Sequence, residues 1–118
     1  MLVVGMGNDL CRDDGFGIIA ARRFAESGTP EGVRVYEAGI GGVGLVHELM
    51  DGYETLIILD AVDRGGEPGT LYLLETEVPE RQGEYTADMH YTVPSKALIM
   101  ARALGVLPPR VYILGCQP

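Results

Sequence analysis

The sequence predicts an α/β fold, a three-layer sandwich in which helices cover both faces of a twisted sheet of about five strands. Short aliphatic runs alternate with helical patterns along the 118 residues, which favours a mostly parallel sheet. One connection is too short for a parallel crossover, so one strand should be antiparallel. Because 47% of the residues are apolar, we expect a single domain over residues 1–118 with its own core.

A glycine-containing loop separates the first predicted strand from the first predicted helix. Leu2–Val4 predicts a short, fully buried strand, and the turn-rich segment Gly5–Asn8 follows it. Residues 14–26 predict a helix, with Asp13 as a suitable N-cap. Apolar side chains recur in this helix at helical spacing and should form its buried face: Phe16, Ile19, Ala20 and Phe24.

The next predicted elements are a strand, a glycine corner, a helix and a strand that ends in a carboxylate. The strand is Val33–Glu37, and the helix runs from Leu45 to Met50. The clearest buried strand in the chain is Leu56–Leu59, four consecutive aliphatic residues followed by Asp60. The flexible corner between the first of these strands and the helix is formed by Gly39, Gly41, Gly42 and Gly44.

The connection after Asp60 breaks the alternation of strands and helices. About eight residues separate Asp60 from the next predicted strand, Thr70–Leu74. A parallel crossover needs a dozen or more residues, so this strand should pair antiparallel or lie at a sheet edge. Residues 77–89 are polar and irregular, and no helix or strand is expected there.

The last predicted elements are a helix and a strand. Pro94 suits the first turn of a helix that runs to Leu104, and Gly105 should stop it. Val111–Leu114 is the final strand. The chain ends at Pro118 soon afterwards, and a layered fold would be expected to cover this strand, so we expect that a C-terminal helix is lacking.

The charge balance excludes some classes of partner. Acidic residues outnumber basic ones by 17 to 9, for a formal charge of −8, and Lys96 is the only lysine in the sequence. Nucleic acid and anionic membranes are therefore poor partners, because the net negative charge repels them. A metal cation, or a basic or apolar protein segment, is more compatible with the negative electrostatic potential. No signal-peptide pattern or membrane-length apolar run is present, and Cys11 and Cys116 form no C-x-x-C pair. We expect a soluble cytoplasmic protein with reduced thiols.

Gly5-Met6-Gly7 invites comparison with a dinucleotide-binding loop. The third glycine of G-x-G-x-x-G would fall at position 10, which is Leu10. The following helix opens with Asp13 and Asp14, where a pyrophosphate would need bare amides and no negative charge. A tight strand-to-loop turn is the better interpretation, and a nucleotide-binding function is disfavoured without being excluded.

Three side chains are the candidate metal ligands: Asp14, Asp60 and His90. Each has an ordinary alternative, because Asp14 suits a helix N-terminus, Asp60 a turn, and His90 a solvated loop. Together they follow the first strand, end the third strand and precede the last helix, so they can converge at one crevice. Two carboxylates and an imidazole form a partial coordination sphere with open positions, suited to zinc, nickel or iron.

Other candidates are weaker. His47 is interpreted as a helix-surface residue, Cys11 as a partly buried thiol, and Asp63 and Glu67 as solvated turn residues. No G-x-S-x-G or H-E-x-x-H motif is present in the sequence.

The segment from Gly5 to Gly17, GMGNDLCRDDGFG, resembles the G-x-G-N-x-L-x-x-D-[DE]-G-x-G opening of the hydrogenase maturation endopeptidases. The strand around Asp60, LIILDAV, is similar to the second signature of that family, and the region around His90 to its third, looser one. The resemblance covers essentially the whole chain in matching order.

This resemblance implies a fold like the predicted one and a specific activity. Members of the family remove a C-terminal peptide from the hydrogenase large-subunit precursor after nickel has been inserted. By position, Asp14, Asp60 and His90 would be the metal-contacting and catalytic residues, with the nickel contributed by or recognised in the precursor. The metal of the resting protein is left open.

The resemblance also implicates the glycine corner in substrate binding, through Gly39, Gly41 and Gly42. The corner departs from the family pattern, which usually begins with Asp where Glu37 stands and has Thr in place of Ile40. This departure concerns substrate choice more than metal binding.

Several alternatives stay open at this point. The metal could act in hydrolysis or only in positioning the substrate. The protein could be a non-catalytic, metal-dependent recognition module for the precursor, or a related peptidase that acts on another precursor protein, since a fold does not fix its substrate.

Overall fold

The computed structural model describes residues 1–6, 16–39, 44–61, 64–78 and 95–117. In these residues a five-stranded sheet has the order β2-β1-β3-β5-β4. β1, β2, β3 and β5 are parallel, and β4 is antiparallel to β5 at the sheet edge. In chain order the elements are β1 Leu2–Met6, α1 Phe16–Glu26, β2 Arg34–Gly39, α2 Leu45–Leu49, β3 Thr55–Ala61, β4 Leu71–Glu75, α3 Ser95–Ala103 and β5 Arg110–Cys116.

The predicted sandwich is confirmed, with helices on both faces of a mostly parallel sheet. β1 is buried along its whole length, and alternate residues point to opposite faces. Leu2, Val4 and Met6 join a core cluster that includes residues of α2 and α3. Val3 joins a second cluster, with Ala21 of α1, on the opposite face. This interior strand therefore supplies side chains to two separate cores.

α1 lies unusually close to the backbone of the sheet because glycines stand at the contact. A Cβ atom on Gly17 would lie well inside 3.0 Å of the carbonyl oxygens of Met6 and Leu59. A Cβ on Gly5 would similarly collide with the Gly17 carbonyl and the Ala21 side chain. Close packing of a helix on neighbouring strands thus requires glycine at both positions.

The predicted turn at Gly5 and Met6 was wrong, since both residues belong to β1.

The buried side of α1 also differs from the predicted one. Ile19, expected in the core, is 46% exposed, whereas Gly17, Ile18 and Ala21 are buried. The reason is the contact of Gly17 with the strands, which turns the helix so that its neighbours Ile18 and Ala21 face inward. The predicted helix start at residue 14 lies outside the described residues.

β4 confirms both expectations about the short connection after Asp60, since it is an edge strand and antiparallel. It pairs with β5 from Leu71 opposite Cys116 to Glu75 opposite Tyr112. Leu71 and Leu73 are exposed on this strand. The opposite edge, β2, carries ion pairs instead, such as that between Arg34 and Glu48 at 3.1 Å.

Gly105 ends α3 as predicted. Its φ of 75° is in the left-handed region that favours glycine. The Gly105 amide donates to the Arg102 carbonyl at 3.1 Å, and the Val106 amide donates to the Ala101 carbonyl at 2.9 Å. These two bonds form a Schellman cap. The Arg102 guanidinium also donates to the Val78 carbonyl, which ties this end of α3 to the segment after β4.

The helices of the described residues are short. None of them is long and apolar enough to cross a bilayer.

Substitution of Gly17 by alanine should destabilise the domain. The added methyl group would press on two backbone carbonyls that cannot move independently of the sheet. We expect a loss of about 2 kcal/mol or more in the free energy of unfolding, on the scale of core overpacking. Urea unfolding would measure it, with Ala25→Ser, at an exposed position of the same helix, as the control. Equal stability of Gly17→Ala and wild type would contradict the close approach.

Two neighbouring positions of α3 should respond very differently to truncation. Leu98 is fully buried, whereas Met100 is 55% exposed. Leu98→Ala should therefore lower the free energy of unfolding by about 2–5 kcal/mol because it leaves a cavity. Met100→Ala should change it by less than about 0.5 kcal/mol. Thermal or urea unfolding of the two variants checks the orientation of α3, and similar losses would refute it.

Candidate functional site

The order of the strands reverses at β1, and an open α/β sheet is expected to have its ligand crevice at the carboxyl edge beside such a reversal. From β1 the chain goes to β2 on one side, and then crosses back to β3 on the other side of β1. Open α/β sheets bind ligands at such a reversal, outside the carboxyl ends of the strands. Met6 of β1 and Asp60 of β3 stand at this edge, since Gly5 pairs with Leu59 one residue earlier.

Asp60 lies where the sequence predicted it, next to the last residue of β3. It is partly buried, and its Oδ1 accepts a hydrogen bond of 2.8 Å from the Ala61 amide. It alternates with Leu56 and Ile58, so it extends from the face that α2 and α3 cover. The carboxylate thus stands at the carboxyl-edge rim of the larger core cluster.

Gly39 is the last residue of β2, at the same edge of the sheet. Its prediction as part of a loop corner was therefore wrong, although Gly44 does precede α2 as its N-cap residue. The register shifts between Gly5 and Met6, so that Gly5 pairs with Glu37 but Met6 pairs with Gly39. Such irregularities bend strands and are common next to active sites. Gly39 and Asp60 end the two strands that flank β1.

Asp14, His90, Gly41 and Gly42 lie outside the described residues. The structure therefore does not test whether the predicted trio meets, and the metal site stays a prediction. In the described part of the chain, no group of three His, Cys, Asp or Glu side chains could hold a metal ion.

α1 begins at the carboxyl edge, because Gly17 contacts the backbone where β1 and β3 end. α3 is oriented with its N-terminal end towards this same edge of the sheet. Its last turn is tied to Val78, and the chain then enters β5 at the amino edge, where the Arg110 amide donates to the Glu54 carbonyl. The two helices that follow Asp14 and His90 in sequence thus both start on the Asp60 side of the sheet.

Gln117 is a polar residue of this edge that the sequence analysis missed. It follows β5 and is only 7% exposed, the one buried polar side chain of the described residues. Its Oε1 accepts hydrogen bonds from the Arg64 amide at 2.8 Å, the Gly66 amide at 3.1 Å and the Tyr72 hydroxyl at 3.4 Å. The available signal was its position, since Gln117, like Asp60, comes soon after an aliphatic run at the carboxyl end of a strand.

Two ionisable groups with perturbed pKa values, Tyr53 and Arg34, lie at the opposite, amino edge. Partial burial raises the pKa of the Tyr53 phenol. A hydrogen bond with Tyr53, together with the charge of Glu48, raises the pKa of the Arg34 guanidinium. These groups connect the start of β2 to the end of α2, where Tyr53 donates to Glu48 at 3.1 Å. Their arrangement explains local packing and does not bear on the crevice.

The weaker candidates behave as predicted where they are described. His47 is exposed on α2, and Glu67 is exposed in the connection between β3 and β4. Cys116 is a partly buried free thiol. Cys11 and Asp63 lie outside the described residues.

Comparison with known proteins identifies relatives over the whole chain. The hydrogenase expression/formation protein HupD of Rhodobacter capsulatus is 38% identical over 120 residues, which cover 100% of this chain and 57% of that protein. HupD of Bradyrhizobium diazoefficiens is 37% identical, with 100% and 62% covered. The chain therefore spans about three fifths of the length of these relatives.

Solved structures share the fold. The hydrogenase maturating endopeptidase HybD from E. coli superimposes with a TM-score of 0.76 at 27% identity, over 99% of this chain and 73% of that one. A hydrogenase 2 maturation peptidase from a Thaumarchaeota archaeon has a TM-score of 0.68 at 32% identity, over 99% of this chain and 78% of that one. The family model described as hydrogenase maturation protease, HycI, matches residues 18–118. With this match and these relatives, the chain belongs to the hydrogenase maturation protease family.

Proposed function

We propose that the protein is a cytoplasmic endopeptidase that removes the C-terminal peptide of a nickel-loaded hydrogenase large-subunit precursor. The observation that carries the proposal is the position of Asp60, at the carboxyl edge and beside the reversal of strand order, in a chain of the maturation protease family. Family membership supplies the type of reaction, and Asp60 supplies a carboxylate at the place where this fold binds ligands.

Covalent geometry supports the inclusion of Asp14. It lies three residues before Gly17, which contacts the Leu59 carbonyl next to Asp60. Three residues span at most about 11 Å, so the chain length allows Asp14 to reach the same end of the sheet. His90 lies five residues before Ser95, and at most about 18 Å of chain separates it from the start of α3. Short segments of chain therefore connect both Asp14 and His90 to helices that start at the Asp60 edge.

In the proposed mechanism Asp14, Asp60 and His90 contact the nickel that the precursor carries. Two carboxylates and one imidazole leave coordination positions for the ligands that the precursor itself provides. The contact would hold the scissile bond at the crevice, and the carboxylates would be placed to orient water for attack. Gly39, Gly41 and Gly42 would line the path of the precursor, where the absence of side chains allows a peptide to approach the backbone.

Non-catalytic recognition of the precursor, without cleavage, is the second candidate function. It would use the same residues and is favoured by the acidic charge of −8, which suits capture of a cation-bearing segment. Cleavage of the purified precursor separates the two functions, since a recognition module would bind it and leave its length unchanged. A peptidase for another precursor would cleave that protein and leave this one intact.

Asp60→Asn should abolish most of the activity without unfolding the protein. It keeps the size of the side chain and removes the negative charge at the carboxyl edge. We expect cleavage of nickel-loaded precursor to fall at least about 100-fold, the scale on which active sites depend on one charge-stabilising group. The matched control is Glu54→Gln, an exposed carboxylate at the amino end of the same strand. Wild-type rates in both variants would exclude Asp60 from the site.

The two histidines of the chain should differ completely in their importance. His90→Ala should lose cleavage, because it would remove the imidazole that contacts nickel. His47→Ala should retain wild-type cleavage, because His47 is exposed on α2. The same assay on precursor prepared without nickel should give no product with the wild-type protein. Equal cleavage of the nickel-free precursor, or full activity of His90→Ala, would refute a nickel-directed mechanism.

A further inference from the structure

The connection from β3 to β4 must pass over the end of β5. In the strand order β5 lies between these two strands, and β4 begins at the edge where β3 and β5 end. The described part of this connection, residues 64–70, is exposed along its whole length. Hydrophobic burial therefore contributes little to its position. Polar contacts must hold it in place.

Those contacts converge on Gln117. Its side-chain oxygen accepts from the amides of Arg64 and Gly66 and from the Tyr72 hydroxyl. Its backbone fixes the other end of the connection, since the Gly69 amide donates to the Gln117 carbonyl at 2.9 Å and the Gln117 amide donates to the Thr70 carbonyl at 2.8 Å. One buried residue thus holds both ends of the exposed segment.

The geometry leaves little freedom at this contact. A Cβ on Gly66 would collide with the Tyr72 hydroxyl and would come within 3.7 Å of the Gln117 Oε1. The Arg64 guanidinium lies over the Tyr72 ring, 5.5 Å from its centre. The Thr70 hydroxyl closes a local turn by donating to the Glu67 carbonyl at 2.7 Å. The segment is therefore a compact, hydrogen-bonded arch.

This arch stands beside Asp60. Asp60 pairs with Gly115 of β5, and Gln117 follows two residues later, directly after the end of β5, so both residues lie at the same edge of the sheet. Arg64 lies four residues after Asp60. Residues 64–70 and Asp60 therefore share the carboxyl edge of the sheet.

We propose that Gln117 is a positioning residue, which holds residues 64–70 at the carboxyl edge as a surface against which the precursor's peptide segment binds. This role rests on the proposed endopeptidase function. Gln117 acts through the arch and does not touch the reacting atoms. Its loss should weaken binding of the precursor and leave the chemical step nearly unchanged.

Gln117→Leu and Gln117→Glu test this role. Leucine removes the acceptor, whereas the carboxylate of glutamate can accept from the same amides. For Gln117→Leu we expect KM for nickel-loaded precursor to rise about tenfold with kcat within about threefold of wild type, the pattern of lost binding without lost chemistry. Hydrogen exchange of the Arg64 and Gly66 amides should accelerate about tenfold or more. Gln117→Glu should restore both KM and amide protection.

Val111→Ala is the control for a purely structural effect. Val111 is buried on β5 and faces the core that α2 and α3 cover. Its truncation should lower the melting temperature and leave KM and the exchange of the two amides unchanged.

Three results would overturn the role. If Gln117→Leu accelerates amide exchange but leaves KM unchanged, the arch does not contribute to substrate binding. If it raises KM without accelerating exchange, Gln117 does not act through the arch. If Gln117→Glu does not restore KM, loss of the hydrogen-bond acceptor at position 117 is not the cause of the weaker precursor binding. A wild-type protein that cleaves no precursor would instead refute the endopeptidase function, and the substrate-positioning role with it.

Discussion

The contact between α1 and the backbones of β1 and β3 is the constraint on which the rest of the structure depends. Gly17 can lie against the carbonyls of Met6 and Leu59 only because it has no side chain. This contact sets the depth at which the helix packs and the face that it buries. It also fixes where α1 starts, at the edge that carries Asp60. Gly5, the first glycine of the segment that resembles a nucleotide-binding turn in sequence, is thus used for helix–sheet packing.

The packing of α1 on the sheet determines where the candidate site lies. β1 is central and apolar on both faces, so it offers no polar group to the crevice within the described residues. The polar side chains come from its surroundings, with Asp60 near the end of β3 and Gln117 after β5. A rigid apolar sheet thereby holds polar groups at a single edge, where each is stabilised by a strand rather than by a long loop.

Much of this arrangement could be predicted from the sequence, because aliphatic runs and helical spacing persist over whole elements. The antiparallel edge strand followed from loop length alone. The burial of Ile19 was predicted wrongly, because the spacing of apolar residues does not reveal that a glycine occupies the contact. Asp60 was found by its place after a strand. Gln117 was missed because a neutral amide has no periodic signal, and its importance appears only when the connection is seen to cross β5.

The strand order also has a consequence for synthesis of the chain on the ribosome. In the described sheet β4 has β5 as its one neighbour, and the last residue of β5 is made 41 residues after the end of β4. At ordinary elongation rates this interval is about 2–8 seconds. During it, Leu71 and Leu73 belong to a nascent strand with neither of its edges paired, the state in which strands associate with foreign chains. The nascent polypeptide should therefore depend on chaperones most strongly in this interval.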